Sequence, residues 1–205
     1  MLPAVLIINM YDKETYTKEL EDNLRYWRVS YKICGYAAFD TIDFRPFTHI
    51  ILTGSDFFVP TKRVLSKEQV AVILATGKPV LAQCYAFHLL AYYYGGPAQV
   101  RTFVKKHKEH MRIPMSALTN GNGAGGAAAE YFVNHWNYVP PELLGLRQGE
   151  WDIISEAVYV DGDGRPKRYV VDAMMREYPV LCLQYHPEAT VGNYNFLYKW
   201  LKKSF

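Results

Sequence analysis

Short apolar runs alternating with helix-spaced stretches constrain this chain more than any other feature. The runs at 5–9 (VLIIN), 49–53 (HIILT) and 79–83 (PVLAQ) are brief and almost continuously apolar, and 30–34 (SYKIC) reads as a further strand between the first two. A strand apolar on both faces belongs inside a sheet that is covered on both sides. Between the runs the spacing turns helical. Leu20, Leu24 and Trp27 mark a helix over 14–27, with Glu19 and Glu21 near Lys18 and Arg25. Ser66 is a candidate N-cap for a helix over 66–75, with Glu68 in its first turn. A third helix is expected over 84–94, closed by Gly95-Gly96. This order predicts a doubly wound α/β fold with a mostly parallel sheet and helices on both faces.

The second half is less regular. Segments 151–159 and 169–174 flank Asp161-Gly-Asp-Gly-Arg165 and predict a hairpin, an antiparallel edge that makes the sheet mixed. A last buried strand is expected over 180–185 and an amphipathic helix over 193–203. The stretch 101–112 is basic and carries two histidines, and 119–129 (TNGNGAGGAAA) is too glycine-rich to hold a strand firmly. With no internal repeat and no linker, residues 1–205 read as one domain.

Composition excludes several classes of function. A net charge of +3 is too small to imply nucleic acid. The longest apolar stretch, 79–96, is broken by Gln83, His88 and a Gly-Gly pair, so no membrane span is expected. The N-terminus has no basic region followed by a cleavage site, and three scattered cysteines make no disulfide framework. The expected location is the cytoplasm.

Cys84 stands where the run PVLAQ meets the helix YAFHLL. At such a turn the sulfur projects from the top of the sheet. The amides and positive end of the following helix favour a thiolate and can stabilise an oxyanion. Ala82 and Ala86, two before and two after, are small enough for the close approach such an elbow needs. A core cysteine packed as a small hydrophobe is the plain alternative. His186-Pro187-Glu188 follows the last strand. If it is extended, His186 and Glu188 point the same way, about 6–7 Å apart along the backbone. A carboxylate beside an imidazole fixes its tautomer and frees the other nitrogen for a thiol, although a surface turn would explain this segment alone. Together the two segments supply nucleophile, base and orienter.

Cys84 and His186-Pro187-Glu188, in this order and about a hundred residues apart, resemble the class I glutamine amidotransferase family. Asn9-Met-Tyr-Asp12 is similar to the opening of its anthranilate and aminodeoxychorismate synthase branch, and Ile51-Leu-Thr-Gly-Ser55 to its oxyanion strand and loop. Asn134-His-Trp-Asn-Tyr-Val139 resembles a Ser-His-x-Asp-x-Val stretch that holds the substrate's α-amino and carboxylate groups, and Gln184-Tyr-His-Pro-Glu188 matches Gln-Phe-His-Pro-Glu. The resemblance implies a flavodoxin-like fold and hydrolysis of L-glutamine to glutamate and ammonia, through a γ-glutamyl thioester on Cys84, with no cofactor. His186 is then the base and Glu188 its orienter. Backbone at Gly54, Ser55 and Tyr85 forms the oxyanion hole, and His88, His135, Trp136, Asn137 and Tyr138 line the substrate site.

Only 17 residues follow Glu188, so the ammonia is expected to go to a synthetase in trans, as in guanylate synthesis. The chain departs from the family's Gly-x-Cys-x-Gly-His-Gln elbow at Ala82, Ala86, Phe87 and His88, and Ser55 stands in for an oxyanion-loop glycine. These changes leave open another γ-glutamyl compound as substrate, or an inactive scaffold. Three further features read as structural. Lys105-Lys-His-Lys108, with Arg101 and Arg112, is expected to be a solvated face, with docking to an acidic synthetase or carrying a phosphate as alternatives. His107 and His110 lack metal-ligand companions at zinc spacing, and Asp161-Gly-Asp-Gly lacks the glutamate that closes a calcium loop. No glycine-rich phosphate loop suggests ATP binding.

Overall fold

A computed structural model describes residues 3–114, 128–144, 150–189 and 194–202 of the 205-residue chain. The strands are β1 (Ala4–Asn9), β2 (Ser30–Gly35), β3 (His49–Leu52), β4 (Val80–Gln83), β5 (Arg101–Pro114), β6 (Ala128–Tyr138), β7 (Trp151–Val160), β8 (Pro166–Met175) and β9 (Val180–Leu183). The helices are α1 (Lys18–Tyr26), α2 (Lys67–Ala75), α3 (Tyr85–Leu90), α4 (Pro141–Leu144) and α5 (Tyr194–Lys202). Seven strands form one sheet in the order β2-β1-β3-β4-β9-β8-β7. The first five are parallel, and the β7–β8 hairpin adds the antiparallel edge. The fold is therefore the mixed α/β arrangement the alternation predicts, and the hairpin turns at the Asp161-Gly-Asp-Gly tip.

Side-chain alternation sends each central strand into two cores. Leu6, Ile8, Ile50, Leu52 and Val80 pack with Val70, Ile73 and Leu74 of α2 and Phe87 and Leu90 of α3. Val5, Ile7, Ile51, Leu81 and Leu181 pack on the other face with Leu20 and Leu24 of α1 and Phe196, Leu197 and Trp200 of α5. Both faces are thus dry, which is why these strands read as continuous apolar runs. Ser66 caps α2 in a reciprocal capping box with Gln69, and Gly77, at φ 64°, ends it in the left-handed conformation glycine tolerates. The helix expected over 84–94 is shorter: α3 stops at Leu90 and a π-helical turn carries the chain through Ala91–Gly95.

Nothing in the sequence hints at a second sheet. β5 and β6 form a long antiparallel ribbon over the segment read as a basic face. Most of its lysines are indeed exposed, but Phe103 and His107 are buried beneath them. Most of the glycine-rich segment 119–129 lies outside the described residues, and Ala128 and Ala129 begin β6. Among the described residues no helix is long and apolar enough to cross a membrane.

Candidate active site

The turn from β4 into α3 is strained at one residue. Cys84 has φ 48° and ψ −102°, and among described non-glycine residues only it and Arg28 have positive φ. Such a conformation costs about 1–3 kcal/mol and persists only where its surroundings enforce it. Here the Cys84 N–H donates to Leu183 O at 2.6 Å, and the His88 N–H donates to Cys84 O at 3.2 Å. Ala82 and Ala86 are fully buried on either side, so the neighbouring chain closes directly on the turn.

Because β9 is the parallel neighbour of β4, with Gln83 opposite Leu183, the chain leaving β9 passes beside Cys84. The segment is not extended, as its position after a strand suggested. Pro187–Ala189 winds into a 3-10 turn, the Ala189 N–H donates to His186 O at 3.2 Å, and the His186 N–H donates to Phe132 O of β6 at 3.1 Å. The turn still brings the side chains together. His186 Nδ1 lies 3.0 Å from Glu188 Oε1, and both groups are about nine-tenths buried. Burial alone would push the imidazole down. Its neighbour Cys84 and its hydrogen bond to the Glu188 carboxylate raise it well above the usual histidine range. The ring is thus bonded to the carboxylate and lines the same cavity as the sulfur, where an imidazole can exchange a proton with a thiol.

Two glutamines brace this cluster. Gln83 Nε2 donates to Glu188 Oε2 at 2.9 Å. Gln184 Nε2 donates to Cys84 Sγ at 3.8 Å, while its Oε1 lies 2.7 Å from His88 Nε2. Burial pushes His88 down to about 4, with Gln184 opposing only in part, so the ring is neutral and Nε2–H is the donor. His88, expected to meet substrate, lines the cavity over the thiol and also fixes the amide that points at it.

A cavity of about 450 Å³ opens over Cys84 and His186. Of the residues expected there, Ser55, Tyr85, His88, His135, Trp136 and Asn137 line it. Most of these side chains are already committed to the protein. The His135 ring donates from Nδ1 to Asn137 O at 2.6 Å, the Asn137 amide donates to Thr102 Oγ1 at 2.9 Å, and the Tyr85 hydroxyl donates to Lys62 O at 2.6 Å. Trp136, 38% exposed, remains available at the rim, where its ring meets Phe58. Tyr138 is not at the cavity: its ring is buried and stacks on Phe103 at 4.3 Å, because an irregular ribbon register turns it into the core.

Gly54 lies beside the ring of His186. A Cβ built on it would fall 2.5 Å from Tyr11 Oη and 2.9 Å from His186 Cε1, so glycine is required by close approach. Ser55 adopts no left-handed twist. Its hydroxyl donates to Met10 O at 2.8 Å and fastens the loop to the end of β1. Tyr11, Gln83 and Lys106 were not foreseen as site residues, though Tyr11 sits within the Asn9–Asp12 stretch already singled out. Burial and the negative charges of Cys84 and Glu188 hold the Tyr11 phenol far above its usual range, so it stays protonated. Among the described residues no group of histidine, cysteine or carboxylate side chains could hold a metal ion.

Solved structures share this fold at low sequence identity. A Thermoplasma acidophilum protein described as a GMP synthase subunit superposes with a TM-score of 0.70 at 12% identity, covering 98% of this chain and 94% of that one. A glutamine amidotransferase from Thermotoga maritima gives 0.60 at 14%, covering 98% and 82%. PurLQS from the same organism gives 0.64 at 13%, covering 98% and 99%. No curated protein is significantly similar in sequence. The family model for glutamine amidotransferase class-I matches residues 6–201, nearly the whole chain, and the protein belongs to that family.

Proposed function

We propose that this protein is a cysteine hydrolase of γ-glutamyl amides, acting on L-glutamine or another γ-glutamyl compound. The observation that carries the reading is the bonded His186–Glu188 pair lining one cavity with Cys84 at its strained elbow. The Cys84 thiolate attacks the γ-carbonyl carbon. The oxyanion is met by backbone N–H groups at Tyr85 and in the Gly54-Ser55 loop, since the N–H of Cys84 is already spent on Leu183. His186, as imidazolium, gives its proton to the leaving nitrogen; the C–N bond breaks and ammonia departs, leaving a γ-glutamyl thioester. Neutral His186 then takes a proton from water, whose oxygen attacks the thioester, and glutamate leaves as Cys84 regains its electron pair. Glu188 keeps Nδ1 protonated so that the other ring nitrogen faces the thiol.

A synthetase in trans is the natural consumer of the ammonia. The description of the similar Thermoplasma protein as part of a GMP synthase, and of PurLQS as a further relative, supports this. The cavity, about 450 Å³, also leaves room for an amide larger than L-glutamine. The test is ammonia release from L-glutamine and amine release from γ-glutamyl amides by wild type and Cys84→Ala, with and without a candidate synthetase. Release by wild type alone supports the reading, and equal release by both forms refutes it.

A further inference from the structure

The ribbon carries an irregularity at the cavity. Thr102 pairs with Asn137 and His107 with His135, so residues 103–106 of β5 stand opposite Trp136 alone. A bulge of this size re-aims side chains and needs its own anchors, because its backbone has left the ladder. Two are present. From outside, Asp161 at the tip of the β7–β8 hairpin accepts the N–H groups of Val104 at 2.8 Å and Lys105 at 2.9 Å. From inside, buried His107 sits with Nδ1 3.1 Å from His135 Nε2, its Nε2 is 2.7 Å from Glu109 Oε1, and its ring stacks on Tyr159 at 4.0 Å. Phe103 fills the core by stacking on Tyr138. What this construction delivers is Lys106, which lines the cavity over Cys84 and His186. Among the described residues Lys106 makes no ion pair, although its exposed neighbours lie along the same strand.

The geometry points to Lys106 as the residue that recognises the substrate's α-carboxylate, held at the cavity by the Asp161-anchored bulge. This rests on the γ-glutamyl hydrolase reading above and names the group that selects an α-amino acid over a plain amide. A lysine with no ion-pair partner among the described residues, at a cavity whose nucleophile attacks an uncharged amide, has a carboxylate as its natural ligand. Asp161 is a positioning residue, acting through Lys106.

Alkylation of Cys84 by two chloro ketones tests this without the ammonia acceptor: the glutamine analogue, and the same compound lacking the α-carboxylate. Wild type is expected to react faster with the first. Lys106→Gln is expected to cut that preference about tenfold to a hundredfold, as loss of one charged hydrogen bond implies. Asp161→Ala, or the milder Asp161→Asn, is expected to lower the preference in wild type and to add nothing in the Lys106→Gln background. An unchanged preference in Lys106→Gln, with Cys84 still reacting faster with both chloro ketones than with iodoacetamide, overturns the role of Lys106 and leaves the hydrolase reading standing. If neither chloro ketone outpaces iodoacetamide on wild type, the hydrolase reading falls and this inference with it.

Discussion

Gly54→Ala is the substitution whose consequence can be worked most directly from the structure. The new Cβ would lie 2.5 Å from Tyr11 Oη, 3.3 Å from Tyr11 Cζ and 2.9 Å from His186 Cε1. Neither neighbour is a loose end, because Tyr11 packs edge-on against Tyr16 at 5.0 Å and His186 is bonded to Glu188 and, by its backbone N–H, to Phe132 O. Overpacking of this kind costs about 1–3 kcal/mol. For a chain of this length each kcal/mol lowers Tm by about 2–4 °C. Restoring an ordinary carbon contact of ~3.5 Å moves His186 by about half an ångström. Misplacement of 1 Å costs about a hundredfold in rate, so kcat should fall about tenfold. Calorimetry and initial rates of amide hydrolysis measure both. The double variant Tyr11→Phe/Gly54→Ala removes the 2.5 Å contact but keeps the one with His186, so part of the Tm should return while kcat does not. Wild-type Tm and kcat in Gly54→Ala would refute the proposed packing of loop, tyrosine and histidine.

Two further outcomes follow from charge. Burial works against the His186 imidazolium, and Glu188 is among the groups that outweigh it; Glu188→Gln should therefore move the alkaline limb of the kcat/KM profile to lower pH and cut kcat about a hundredfold or more, and an unmoved limb counts against the pairing. Burial pushes Asp172 up to about 7 despite hydrogen bonds from Ser155 and Tyr185. The native state thus keeps a proton that the unfolded chain releases near ~3.9. The associated stability is complete below pH ~4 and is lost, by about 4 kcal/mol, as pH rises to ~7. Urea unfolding across this range should show the slope in wild type and lose it in Asp172→Asn, and an equal slope in both would exclude Asp172 as its source.

What could be read from the sequence was set by periodicity and by types of residue with narrow uses. VLIIN, HIILT and PVLAQ announced buried parallel strands because both their faces are dry. Cys84 at a strand-to-helix junction, with His-Pro-Glu after the last strand, announced the cluster because few folds bring those segments together. The ribbon escaped because charged residues outnumber the buried Phe103 and His107 within 101–112, so that stretch shows charge where burial decides the structure. Hydrogen-bond commitment was equally invisible. Spacing puts His88 near the thiol but does not reveal that its Nε2–H donates to Gln184 Oε1, nor that Asn137 is bonded to Thr102. Tyr138 was misjudged for a related reason: a register shift at Thr102 decides which way its ring points.

Alkylation by the glutamine-derived chloro ketone, read by peptide mass mapping, tests the chemistry at Cys84 most directly. The expected result is a single adduct on Cys84, slowed by L-glutamine and absent from Cys84→Ala, with Cys34 and the buried Cys182 unmodified. An adduct on another cysteine, or labelling of Cys84 that L-glutamine does not slow, would contradict a γ-glutamyl site built around this thiol.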